Sequence, residues 1–196
     1  GGSLASLTLW LKADAGVKNG GSAISSGTTD EWENSFTNCN FTKIDVAGGT
    51  PNLTAGFMNF NPSIYFDGVD DVFEEANIDA DVFFADQENT VFFVFQSLTT
   101  ESGKIFAGWE SDPAGEERLS YFENNGSNKL RADVFEDANQ VLTSDDIITN
   151  ENIIATTFSD ASDRILFVNG TNEDQNVAGS MTVTGNTGDF AIGNRN

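Results

Sequence analysis

The run Val91-Phe92-Phe93-Val94-Phe95 is apolar from end to end and built from residues that suit strands better than helices. It is too short for a buried helix of ordinary length. An unbroken apolar run of this kind predicts a strand covered on both faces. Similar short runs recur along the chain, separated every ~8–12 residues by Gly, Asn, Asp and Ser, the spacing of an all-β sandwich or barrel. No segment carries a sustained helical stripe. Only Asp79 to Asp86 has room for a helical turn, with Val82 and Phe83 tucked beneath it.

The other strand signals are of the same kind. Leu7, Leu9 and Leu11 alternate with Thr8, Trp10 and Lys12, which predicts an opening strand with Trp10 in the core. Ser63 to Phe66, Lys104 to Trp109 and Arg118 to Phe122 follow. Leu130, Ala132 and Val134 alternate with Arg131, Asp133 and Phe135. Ile153 to Phe158 and Arg164 to Val168 make a further pair, after which Asn169-Gly170 forms a tight turn. Gln175 to Ala178, Met181 to Thr184 and Phe190 to Ile192 are weaker strands. Val17 to Asp30, rich in Gly, Ser and Thr, reads as one long loop. The expected fold is all-β, a two-sheet antiparallel β-sandwich, as a single domain over residues 1–196.

Composition narrows the function. The chain has 31 acidic and 9 basic residues, a net charge of −22, so it repels nucleic-acid phosphates and anionic membranes. No stretch approaches the ~20 apolar residues that span a bilayer. With no histidine, a Ser-His-Asp or Cys-His site and a His-ligated zinc are excluded. Cys39 stands alone, so no internal disulfide forms. The opening Gly1-Gly2-Ser3 is not a signal peptide, and the chain reads as a piece of a larger protein.

Four segments carry a resemblance. Leu9-Trp10-Leu11-Lys12-Ala13-Asp14-Ala15-Gly16-Val17 comes first, then Asn59 to Asp71, Ile165-Leu166-Phe167-Val168-Asn169-Gly170, and Ile192-Gly193-Asn194-Arg195. In this order they resemble the laminin G-like jelly rolls of secreted bacterial proteins, within the concanavalin A-like lectin/glucanase superfamily. The resemblance implies two antiparallel sheets and an extracellular or bacterial cell-surface location, in some cases by type IX secretion. Similar domains continue after the last motif into a further strand, so a final strand is expected to be missing or supplied by a partner. The superfamily includes lectins, glycosidases, lyases and silent spacers alike.

Chemistry separates these. Retaining glucanases of this fold need carboxyl groups about 5–5.5 Å apart on one strand. Glu110 to Glu116 is interrupted by Pro113 and Gly115 and reads as an acidic loop. Lyases of this fold need an Arg, a His or Gln, and a Tyr on the concave face; Arg131 with Tyr121 imitates part of that, but histidine is absent and no Gln is evidently placed beside them. The expectation is therefore a binding module or adhesin rather than an enzyme. Its partners would be a glycan or a cell-surface protein, together with other domains of the same large protein. A structural spacer or assembly domain is the alternative.

Sugar recognition uses aromatic faces with fixed amides and carboxylates. Trp109, Tyr121, Asn125, Arg131 and Asp133 are the candidates, with Trp32 outside that cluster in a polar stretch. For metal, Asp67-Gly68-Val69-Asp70-Asp71 places three carboxylates in one turn at a strand end. Calcium takes six to eight oxygens, and a turn can aim several at one point. The competing role for Asp67 and Asp70 is to bind the turn's own amides. Asp79, Asp81 and Asp86 form a second acidic stretch, read as a solvated connection.

Overall fold

The computed structural model describes residues 7, 9–35, 39–44, 48–79, 89–96, 105–111, 118–124, 127, 129–135, 140–147, 152–159, 164–176 and 187–193. Among them there is no helix, and antiparallel ladders build all three sheets. The fold is all-β, as the turn spacing predicts. The chain falls into two compact units, Gly1–Glu75 with Ala191–Asn196, and Ala76–Phe190.

The first unit is built from β1 (Val17–Asn19), β2 (Ser22–Ala23), β3 (Gly27–Thr28), β4 (Glu31–Glu33), β5 (Asn40–Lys43), β6 (Asn52–Met58), β7 (Asn61–Tyr65) and the start of β8 (Val72–Asp79). One sheet runs β8-β5-β4-β1-β2, and a smaller one runs β3-β6-β7. Val17, Phe41, Leu53, Val72 and Phe73 are buried. Phe73 is the hub: Trp32 leans on it at 6.1 Å between ring centroids, and Phe66 meets it edge-on at 6.0 Å.

Two expectations fail in this unit. Val17 to Asp30 is not one loop but holds three short strands. Their side chains are mostly small and polar, so backbone pairing defines them and hydrophobic pattern does not. The alternation at Leu7 to Lys12 gives no strand among the described residues. Trp10 lies 48% exposed rather than in the core. Its backbone is satisfied elsewhere: the Trp10 N–H donates to Asn34 Oδ1 at 3.0 Å, and its carbonyl accepts from Ser35 N–H at 3.1 Å. Six residues with period two are a weak signal once a loop amide offers that alternative.

The second unit contains β9 (Asn89–Gln96), β10 (Ile105–Ser111), β11 (Arg118–Asn124), β12 (Lys129–Phe135), β13 (Gln140–Ile147), β14 (Asn152–Ser159), β15 (Arg164–Val168), β16 (Thr171–Asn176) and the start of β17 (Thr187–Gly193). β10 to β13 lie side by side as a meander, and β16-β15-β14-β9 form the other sheet. The two meet at β13 and β16, where Thr143 N–H donates to Asp174 Oδ2 at 2.9 Å. Leu130, Ala132, Leu142, Leu166 and Val168 are buried. In β15 the alternation is complete: Arg164, Leu166 and Val168 are inside, with Ile165 and Phe167 between them.

β9 corrects a third expectation. Among the described residues it is an edge strand paired to β14, and it is covered on one face rather than two. Phe93 and Phe95 stack at 5.0 Å on the inner side, whereas Phe92 and Val94 are 69% and 60% exposed. The helical turn read at Asp79 to Asp86 lies outside the described residues apart from Asp79, which ends β8. Met181 to Thr184 also lie outside them.

Candidate functional site

β7 ends at Tyr65 and β8 begins at Val72, so the acidic turn bridges two strands of the first unit. Phe66 and the buried pair Val72 and Phe73 anchor its ends in the core, and a left-handed Gly68 (φ 78°) reverses the chain. Asp67 Oδ1 accepts from the N–H groups of Val69 (2.8 Å) and Asp70 (3.4 Å). That is the ordinary business of an Asp in a turn. Asp71 Oδ2 accepts from Asp67 N–H at 2.8 Å. The three side chains still converge, with one oxygen from each lying within 4.8 Å of the others. Two oxygens on one calcium, each 2.3–2.6 Å from the ion, fit that spacing.

The three carboxylates differ in environment. Asp67 is exposed, Asp70 is half-buried, and Asp71 retains only 4% of its surface. Burial pushes the Asp71 carboxyl above the usual range. The charges of Asp67 and Asp70 push it the same way, and N–H donation from Asp67 and Thr50 opposes them. None of the ion pairs among the described residues reaches this turn. A divalent cation would relieve the repulsion while using the same oxygens.

Two glycines let backbone close around the turn. A Cβ on buried Gly49 would stand 2.6 Å from Asp70 Oδ1 and closer still to the Asp70 carbonyl. One on Gly193 (φ +109°) would collide with the Asp71 carbonyl and sit 2.9 Å from Phe66 Cδ1. Gly193 is thus required at the end of β17 for a contact far away in sequence. Sequence reasoning singled out the Asp triplet but not Gly48-Gly49-Thr50. The paired glycines were the available signal, since they mark close backbone approach as well as turns.

The candidate sugar-contacting residues fall on neighbouring strands of the second unit. Trp109 is on β10, Tyr121 on β11, Arg131 and Asp133 on β12, and Asn125 lies outside the described residues. The register places Trp109 opposite Leu119, which pairs with Val134. Asp133 pairs with Ser120, and Arg131 with Glu123 and Thr143. Tyr121 falls in the bulge between Ser120 and Glu123. Tyr121, Arg131 and Asp133 therefore occupy neighbouring backbone positions on β11 and β12, with Trp109 on β10 next to them. Trp32 is structural: its indole N–H donates to the Lys12 carbonyl at 3.0 Å, and its ring packs on Phe73.

No protein-family model matches the chain, and no curated protein sequence matches it. Solved structures do. A sialidase from Trypanosoma rangeli, in complex with 2,3-difluoro-KDN, superposes with a TM-score of 0.55 at 13% identity, over 99% of this chain and 28% of that one. Another structure of Trypanosoma rangeli sialidase gives 0.51 at 13% identity, over 88% of this chain and 26% of that one. Domain 4 of an extracellular arabinanase from Geobacillus stearothermophilus, in complex with arabinotriose, gives 0.50 at 10% identity, over 86% of this chain and 84% of that domain. The chain spans 28% and 26% of the length of the two sialidase chains. At such identities the likeness concerns the fold alone, an all-β architecture of antiparallel sheets.

Proposed function

We propose that this chain is an extracellular, non-catalytic glycan-binding module of a bacterial surface protein or adhesin, assisted by calcium at Asp67, Asp70 and Asp71. The convergence of three carboxylate oxygens within 4.8 Å, one of them on a buried Asp71, carries the calcium part of the reading. The glycan part is supported by the arabinanase domain, which is similar over most of both chains and was solved with arabinotriose. Tyr121, Arg131 and Asp133 supply the polar and aromatic positions on adjacent strands, with Trp109 and Asn125 as further candidates. The laminin G-like relationship and export by the type IX route belong to the same proposal. A spacer or assembly role is a second reading, favoured by Phe92 and Val94 on the exposed face of edge strand β9.

Thermal unfolding in calcium, in magnesium and in chelator, at fixed ionic strength, tests the metal. Extracellular calcium modules bind at roughly 10⁻⁴ M. Millimolar calcium would then be about tenfold over Kd and stabilise the fold by about 1.4 kcal/mol. For a chain of this size that raises the midpoint by roughly 3–6 °C. Identical curves in calcium and chelator would sink the metal reading. A glycan screen in calcium tests the rest, and the absence of any saturable binding would leave the spacer role standing.

A further inference from the structure

β6 and β7 are joined by Asn59-Phe60, and both residues have positive φ, 48° and 66°. Tight hairpins close best this way, but the second position calls for glycine. This chain follows the rule elsewhere: β15 and β16 are joined by Asn169-Gly170, at 50° and 83°. At the first hairpin a phenylalanine occupies the strained position, and its side chain is 97% exposed. It gains no packing that would offset the strain. A strained bulky residue without a structural reward marks a functional position.

The two residues that follow Phe60 in the chain help to form a small open recess. Lys12, Ala13, Asp14, Asn61 and Pro62 line about 230 Å³. That is below the roughly 300–1,000 Å³ of pockets for drug-sized ligands and suits a single ring. The wall is firmly built: the Lys12 carbonyl accepts from Ala15 N–H at 3.2 Å and from the Trp32 indole at 3.0 Å. Lys12 Nζ and Asp14 Oδ1 pair at 3.1 Å with both side chains still substantially exposed, so donor and acceptor stand side by side. Asn61 is steadied by donation to the Asn59 carbonyl at 3.3 Å. Phe60 precedes Asn61 in the chain, outside the recess lining itself; an aromatic face, a donor, an acceptor and an amide are the groups that grip the CH face and the hydroxyls of a sugar.

We infer that the Asn59-Phe60 hairpin tip and the Lys12–Asp14 turn form a binding site for one ring of a neutral oligosaccharide. Phe60 stacks on the ring, and Lys12, Asp14 and Asn61 hold its hydroxyls. The inference rests on the glycan-binding reading above and assigns it to residues outside the β10–β12 cluster. Neutral sugars are favoured because the Lys12–Asp14 pair cancels locally, while the net charge of −22 repels anionic glycans.

The test is an amide NMR titration of the whole chain with cellotetraose, laminaritetraose, maltotetraose, xylotetraose and arabinotriose, alongside an oligogalacturonate. The expected result is saturable shifts at Lys12 to Ala15 and Asn59 to Asn61 with at least one neutral probe, and weaker binding of the acidic one. Phe60→Gly weakens that binding by roughly threefold to tenfold, the scale of one aromatic stacking contact. Phe60→Trp retains it. If a sugar shifts only residues elsewhere and Phe60→Gly titrates like wild type, this site is refuted and the glycan reading stands. If no probe shifts any residue, both fall. Tighter binding of the oligogalacturonate overturns the assignment to neutral sugars.

Discussion

Replacing Gly49 by alanine probes how the acidic turn is held. The added methyl would stand 2.6 Å from Asp70 Oδ1 and inside contact distance of the Asp70 carbonyl, where real Cβ atoms are not found under 3.0 Å. The carboxylate can swing away; the carbonyl can move only with the turn itself. Forced overpacking of this kind costs about 1–3 kcal/mol. At roughly 2–4 °C per kcal/mol for a chain of this length, the midpoint should fall by about 2–12 °C. Gly48→Ala is the control. Gly48 has φ +93° and nothing within 4 Å, so that variant carries only left-handed strain, about 1–2 kcal/mol. The assay is thermal unfolding by circular dichroism, repeated in calcium. Gly49→Ala should also lose the calcium response, which Gly48→Ala keeps. The double variant Gly49→Ala with Asp70→Ala should remain destabilised, because the offending carbonyl survives. A Gly49→Ala midpoint equal to wild type would refute the contact between this segment and the turn.

Phe60→Gly should stabilise the chain by about 0.5–1 kcal/mol, the relieved left-handed strain less the extra chain entropy of glycine, and a lowered midpoint would count against the strain. The raised Asp71 carboxyl has a definite sign. Its contribution to stability is fully present below its unfolded value and is lost as pH rises through the raised folded value. The midpoint of Asp71→Asn relative to wild type, without calcium, should therefore improve as pH goes from about 4 to 7, and a constant difference would exclude the shift. Cys39 is half-buried; burial, then the Glu75 charge, pushes its thiol up to about 12. Alkylation by iodoacetamide at mildly alkaline pH should be on the order of a thousandfold slower than in the unfolded chain, and equal rates would show an open thiol.

What could be read from residues alone was local. Alternation at Leu130, Ala132 and Val134 and the Asn169-Gly170 pair placed β12 and the β15–β16 turn correctly, because side-chain period and turn dihedrals act within a few residues. The clustering of Asp67, Asp70 and Asp71 was visible for the same reason. Features that depend on neighbours distant in sequence were not. Val91 to Phe95 reads as a doubly covered strand, yet one face of β9 is left uncovered, with Phe92 and Val94 in solvent. Leu7 to Lys12 alternates like a strand, yet the Trp10 N–H and carbonyl bond to Asn34 and Ser35. Val17 to Asp30 reads as a loop, because its short strands are defined by pairing rather than by apolar pattern.

The charge of −22, the absence of histidine and the strand-and-turn spacing were determined by sequence alone; they weighed against nucleic acid, excluded histidine-based catalysis and pointed to an all-β fold. Only the tertiary structure decided that Asp71 is buried while Asp67 is exposed, that Gly49 and Gly193 close around the turn, and that Lys12 and Asp14 share a recess with Asn61 and Pro62. Composition and local pattern are properties of single segments. Burial, close approach and convergence belong to pairs of segments that only folding brings within contact.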